Sequence, residues 1–204
     1  MKNTILFVDG ENFVYKIEQA LLKSHVKKED CDISTMNFEK LLHGALKDFP
    51  ITQKIFYTAK LHRHPETEEK SKELIKIQRK LHNTLKKYHF EVRVAGNVRG
   101  QIVQVDNKSK IIFKEKGVDV QLAVDLVSMA ADKLIDTAIL CSSDSDLQPA
   151  VKEAKKRGVE LVYLGFEFQP NKGLTFTTNR TILLRNSEIK EALNTHRNEA
   201  GKRV

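Results

Sequence analysis

Three aspartates stand where carboxylates could act together. Asp9 ends the apolar run Ile5-Leu6-Phe7-Val8, and Asp144 closely follows Ala138-Ile139-Leu140. Asp119 lies two residues past Gly117, at the head of a long apolar stretch. Hard divalent ions take oxygen ligands of this kind. Several carboxylates brought together repel one another unless a cation neutralises them. The chemistry this set offers is coordination of Mg2+ or Mn2+.

Each aspartate also has a plainer use. Asp9 could cap a following helix, and so could Asp144, with Ser142 or Ser143 sharing the role. Asp119 could complement the positive end of its own helix. The joint placement favours the metal reading. Asp146 could bind an ion through water or hold the Asp144 turn. Asp125 belongs to a polar helix face, with Gln121, Ser128 and Asp132 at i, i+4, i+7 and i+11, and is as readily solvated as supporting. His62 and His64 form a lone His-x-His on what reads as a surface loop. Lys60 and Arg63, near a strand end, could hold phosphate or simply be solvated. The sequence contains no GxGxxG and no GxxxxGK[ST], which excludes dinucleotide and P-loop readings. No Ser/His or Cys/His pairing is identifiable.

The elements that must position these residues follow from apolar patterning. Ile5 to Val8 reads as a strand buried on both faces of a parallel sheet, ended by the turn signal Asp9-Gly10. Helices are expected over 12–23 and 36–48, and a strand over 53–59. A helix begins at Pro65, with acids in its first turn and the stripe Leu74, Ile77, Leu81 and Leu85. Glu91 to Val94 is a strand, and 101–105 with 110–114 a hairpin about Asp106-Asn107-Lys108-Ser109. A helix spans 118–132, a strand 136–141, a helix from the Asp144 turn to Arg157, and a strand 159–164. Residues 166–179 read as a loop, followed by a strand at 181–184, a helix at 187–194 and a frayed polar tail. This alternation predicts an α/β fold: a three-layer α/β/α sandwich with a mainly parallel central sheet. In such sheets ligands gather at the carboxyl ends of the strands, where Asp9 and Asp144 fall.

The 204 residues carry a net charge of +8, with 40% hydrophobic and 30% charged residues. The charge is uneven. Residues 54–116 hold 16 Lys/Arg and 7 Asp/Glu, a balance of +9, so the remainder sums to −1. A basic segment suits a polyanion, because neutralising phosphates releases counterions. No apolar run approaches the roughly 20 residues of a membrane span, and the N-terminus has no signal-peptide pattern. Cys31 and Cys141 form no framework and read as small buried hydrophobes in a reducing compartment, the cytoplasm.

At the acidic residues the sequence resembles the NYN domain family, a branch of the PIN-like ribonucleases. The resemblance lies in Phe7-Val8-Asp9-Gly10-Glu11-Asn12, in Lys116-Gly117-Val118-Asp119-Val120-Gln121-Leu122-Ala123-Val124-Asp125, and in Ser142-Ser143-Asp144-Ser145-Asp146-Leu147-Gln148-Pro149. It runs from residue 4 to about 165, with Leu147 where the family often has Phe. It implies a PIN-like fold over 1–170, with 171–204 as a strand, helix and tail extension. It implies a metal-dependent nuclease in which Asp9, Asp119 and Asp144 hold Mg2+ or Mn2+, supported by Asn12, Ser143, Asp146 and Asp125. The expected partner is RNA, single-stranded, held by Lys60, Arg63, Lys76, Arg79 and Lys80 through its backbone; a homodimer is left open. The competing reading is an RNA-binding adaptor of the same fold. A Toprim-like site built on Glu11 and Asp144-Ser145-Asp146 would leave Asp119 idle and far from Asp144. A phosphatase using an Asp-x-Asp nucleophile is disfavoured because position 11 is Glu.

Overall fold

The computed structural model describes residues 2–63, 68–105 and 108–200, with the backbone alone for 99–115 and 194–200. Among the described residues, seven strands form one sheet: β1 (Thr4–Asp9), β2 (Ile51–Lys60), β3 (Phe90–Val105), β4 (Lys108–Lys116), β5 (Thr137–Cys141), β6 (Glu160–Phe166) and β7 (Arg180–Leu184). The helices are α1 (Gly10–Lys23), α2 (Phe38–Leu46), α3 (Glu68–Lys87), α4 (Val118–Ala131), α5 (Gln148–Lys156), α6 (Lys172–Thr177) and α7 (Asn186–Ala200). Across the sheet the order is β4-β3-β2-β1-β5-β6-β7. Every neighbouring pair is parallel except β3 with β4. The expected three-layer α/β/α sandwich with a mainly parallel sheet is therefore what forms.

β1 lies at the centre, and the alternation of its side chains divides the core. Leu6 and Val8 face one apolar layer with Phe13, Ile17, Phe38, Leu85 and Ile189. Ile5 and Phe7 face the other, with Leu122, Leu126, Val151 and Leu174. A strand buried on both faces must be apolar at every position, which is why no alternation is visible in its sequence. The chain winds from β1 to β2 over one face and reaches β5 over the other. The crevice at the carboxyl ends of β1 and β5 is thus the switch point of the sheet.

Several elements differ from the sequence expectation. Residues 90–94 and 101–105 belong to the single strand β3, whose kink at Gly96 breaks the apolar pattern without breaking the strand. The loop expected over 166–179 contains α6, six residues long and too short to show a period. α7 extends past 194 to Ala200 rather than fraying at 195. Single 3-10 turns at Lys28–Asp30 and Ile33–Thr35 carry no apolar period and went unread. On α3, Leu81 and Leu85 are buried, but Leu74 and Ile77 are exposed and line a surface groove against α1. The Pro65 helix start, His64, and the Asp106-Asn107 tip of the hairpin lie outside the described residues. Cys31 is only half-buried, its thiol donating to the Lys27 carbonyl, while Cys141 is fully buried.

Candidate active site

Asp9 is the last residue of β1 and the N-cap of α1. Its Oδ1 accepts the Asn12 backbone N–H at 3.3 Å, and its Oδ2 accepts the Ser142 hydroxyl at 2.9 Å. The cap reading and the metal reading are compatible, because a carboxylate offers about four acceptor sites. Gly10 lets this turn sit against β2: a Cβ there would lie 2.4 Å from both the Phe56 ring and the Tyr57 carbonyl oxygen. Ser142 extends β5 and is buried. Its oxygen also accepts the Asp144 backbone N–H at 3.1 Å, so one hydroxyl links the two acidic turns.

Asp144 in turn accepts the Asp146 N–H on Oδ1 at 2.9 Å, capping the 3-10 turn Ser145–Leu147 that leads into α5. Asn12 reaches across from α1, where its Oδ1 accepts the Ser143 N–H at 3.0 Å. From the other side, Asn171 Nδ2 donates to the Ser143 carbonyl at 2.8 Å. The backbone of Ser143, just before Asp144, is therefore held at its N–H and its carbonyl by two asparagines. Asp119 comes from the first turn of α4, which opens at Gly117 in the left-handed conformation (φ 92°). A side chain there would be strained, so glycine sets the angle at which α4 brings in Asp119.

These residues meet in one open depression of about 410 Å3 lined by Asp9, Glu11, Asn12, Tyr15, Gly117, Asp119 and Asp144. The convergence of Asp119 with Asp144 removes the premise of the Toprim-like alternative. Burial pushes the Asp9 carboxyl above its ordinary value. Hydrogen bonds from Ser142 and the Asn12 N–H oppose the rise, and the charges of Asp144 and Glu11 add to it. An anion held under such conditions gains from a nearby cation.

The donor chemistry fits Mg2+ or Mn2+, but the acids do not close into a cage. Among the described residues no group of three His, Cys, Asp or Glu side chains is set closely enough to hold a metal ion by itself. Mg2+ commonly keeps several waters and binds through one or two carboxylates plus substrate phosphates, which an open ring of acids permits.

The remaining predicted residues fall elsewhere. Asp146 is exposed and lines grooves outside the acid pocket, so it holds the Asp144 turn through its backbone. Ser143 likewise acts through its backbone. Asp125 is neither solvated nor in the pocket: it accepts from Tyr57 Oη at 2.9 Å, from Gln121 Nε2 at 2.8 Å, and forms an ion pair with Arg93. That network fastens α4 to β2 and β3. Lys60 is the exposed last residue of β2, and Arg63 is exposed three residues further on. The α3 residues lining the groove beside the acid pocket are Leu74, Ile77, Gln78, Leu81 and His82, while Lys76 and Arg79 lie off that groove and Lys80 pairs with Asp32 at 2.7 Å. His62 is exposed against Asn97 at 3.1 Å.

Sequence reading missed Tyr15, six residues past Asp9, and the pocket-lining role of Glu11, two residues past it. It also missed Asn171, although Pro170-Asn171 is a cap signal.

The NYN domain model matches residues 3–184, and the chain belongs to that family. The match runs beyond the stretch in which the resemblance was legible and takes in β7. The family has a PIN-like nuclease fold, its members generally act on nucleic acids, and they generally use divalent metals. An uncharacterized protein of Methanocaldococcus jannaschii is 38% identical over 50 residues, which cover 24% of this chain and 21% of that protein's length. The chain thus matches about a fifth of that relative. A crystal structure of a protein of unknown function from Vibrio parahaemolyticus superposes with a TM-score of 0.57 and 18% identity, covering 90% of this chain and 93% of that one. That likeness speaks to fold alone. A chain from work on Sir2 enzymes superposes at a TM-score of 0.37 with 9% identity, covering 98% of this chain and 94% of that one, too weak to bear on the fold. Among the described residues no helix is long and apolar enough to cross a membrane.

Proposed function

We propose that the chain is a divalent-metal-dependent ribonuclease that hydrolyses RNA phosphodiesters at the crevice between β1 and β5. The observation that carries this reading is the gathering of Asp9, Asp119 and Asp144 around one pocket, with the Asp9 carboxyl held above its usual range. Asp9 and Asp144 would hold Mg2+ or Mn2+, with Asp119 facing them. When bound, such an ion supplies activation of water and neutralisation of charge at the departing oxygen. Ser142 orients the Asp9 carboxylate. Asn12 and Asn171 fix the Ser143 backbone that precedes Asp144. Lys60, ending β2, and Arg63, just past it, would take the RNA backbone by charge.

The test is cleavage of labelled single-stranded RNA with Mn2+ or Mg2+ by the wild type, Asp9→Asn and Asp144→Asn. Loss of either acid should lower the rate about a hundredfold or more and leave RNA affinity within about threefold. A wild type inert on several RNAs with every divalent ion would remove the enzyme reading.

The open ring of acids, which by itself closes on no ion, favours a second reading as a non-catalytic RNA-binding module. It predicts salt-sensitive RNA binding that is indifferent to EDTA, with no cleavage products.

A further inference from the structure

Phe176 on α6 is 91% exposed. Burying a phenyl side chain is favourable because it takes apolar surface out of water, and this one forgoes nearly all of that gain. The same helix anchors itself without that ring, through buried Leu174 and Thr177. Thr177 Oγ1 donates to Gln148 Oε1 at 3.0 Å, and Lys155 Nζ donates to the Thr177 carbonyl at 2.7 Å. α6 is thereby held against α5 with the ring projecting from its outer side.

The surroundings of the ring are cationic. One shallow depression of about 570 Å3 is lined by Gln148, Lys152, Lys155, Lys156, Phe176 and Thr177. The four α5 residues fall at i, i+4, i+7 and i+8, a single face running about 12 Å along the axis. Lys156 is exposed and only loosely paired with Glu153 at 3.5 Å, and Lys152 has no ion pair among the described residues. An aromatic face beside a row of lysines is the combination that binds single-stranded nucleic acid: the bases stack and the cations follow the backbone.

Continuity with the acid site points to the same occupant. The adjoining depression is lined by Ser145, Asp146, Gln148, Pro149 and Lys152. It shares Gln148 and Lys152 with the Phe176 shelf, and Asp146 donates its N–H to Asp144. A surface path therefore leads from the acid crevice along α5 to the ring.

We propose that Phe176, with Lys152, Lys155 and Lys156, is a stacking platform for a base of single-stranded RNA lying away from the scissile phosphate. The proposal rests on the ribonuclease reading for its substrate class, and it assigns the path one flank of the strand takes.

The chain contains no tryptophan, so Phe176→Trp installs a lone reporter. Titration with fluorescein-labelled oligouridine and oligoadenosine in EDTA gives two signals, anisotropy for total binding and indole quenching for stacking. Quenching that saturates in step with anisotropy is the expected result. Phe176→Ala should weaken binding by about 5- to 100-fold, with Phe176→Tyr restoring it to within about twofold of wild type. The ring contributes almost nothing to packing, so circular dichroism of both variants should match wild type. Full anisotropy binding with an unquenched indole would overturn the platform, as would wild-type affinity in Phe176→Ala. So would a Phe176→Ala variant that changes only self-association in sedimentation, which would make the ring a protein contact. Absence of cleavage with Mn2+ would count against the nuclease reading and leave the stacking result standing.

Discussion

Asn12 Oδ1 accepts the backbone N–H of Ser143 at 3.0 Å, joining α1 to the end of β5 across 131 positions of sequence. The pairing couples the two acidic turns, since Asn12 also supplies the N–H that Asp9 caps and Ser143 precedes Asp144. Asn12 thus sets the separation of two carboxylates without itself being one.

Asn12→Ala leaves the half-buried Ser143 N–H without its partner. It should cost about 1–3 kcal/mol in urea denaturation. It should also lower the cleavage rate by more than it lowers RNA affinity, because it loosens the Asp144 turn and leaves the basic surface intact. Asn12→Asp, which keeps an acceptor but adds a charge beside Asp9, should recover stability only in part. Unchanged stability and rate in Asn12→Ala would show that the clamp from Asn171 suffices alone.

Burial holds the Asp9 carboxyl above its ordinary value of 3.8. The folded chain therefore binds this proton more tightly than the unfolded chain does. Between 3.8 and the raised folded value, stability falls as pH rises, and above that value the penalty of an ionised Asp9 persists. In EDTA, Asp9→Asn should melt above wild type near neutral pH, because its amide oxygen can still accept the Ser142 hydroxyl and no charge is buried. The difference should vanish below the ordinary carboxyl range. Mn2+ at about a hundredfold excess over its Kd should then raise the wild-type Tm by about 5–10 °C and leave Asp9→Asn unmoved. An Asp9→Asn variant that melts below wild type in EDTA at neutral pH would contradict the origin of the shift.

Gly10→Ala forces a methyl to within 2.4 Å of the Phe56 ring and the Tyr57 carbonyl. The ring could turn, but the backbone oxygen of β2 cannot. Overpacking of this kind costs about 1–3 kcal/mol or more. Because Gly10 adjoins Asp9, cleavage should fall with stability, read by denaturation and rate on the same samples.

Arg93→Ala should act differently. The Arg93–Asp125 pair is partly buried, with side chains 29% and 15% exposed, and Tyr57 shares its carboxylate. Removing the guanidinium leaves Asp125 without its cation and should cost about 1–3 kcal/mol. Below the melting range the cleavage rate should stay within about threefold of wild type, since the pair holds α4 against the sheet and stands apart from the acid pocket. A large rate loss at full stability would place Asp125 in the chemistry.

Legibility in the sequence depended on how local the signal was. The run from Ile5 to Val8 announces a central strand because burial on both faces excludes polar residues, and Asp9 gains its meaning from ending it. Asp144 after Leu140 follows the same logic. Asp119 was legible because Gly117 marks a helix start. The span of β3 was hidden by Gly96, which reads as a break although the backbone pairs on either side of it. Leu74 and Ile77 keep the helical period but lie past the part of α3 that reaches the core, so period alone overstated their burial. Asn171 and Ser142 act through contacts to residues 28 and 133 positions away, which no window along the chain contains. The Arg93–Asp125 tie was concealed in the same way, and the helical stripe through Asp125 suggested solvent where β3 supplies a cation.

The crevice at β1 and β5 exists because the chain winds over opposite faces on either side of β1. That geometry is spread over dozens of apolar positions, whereas the aspartates within it number three, each at or near an element end. Shape and chemistry are therefore separable mutational targets. A descendant could trade these aspartates one codon at a time, keep the cleft, the basic flank and the Phe176 shelf intact, and pass from cutting a strand to merely holding it.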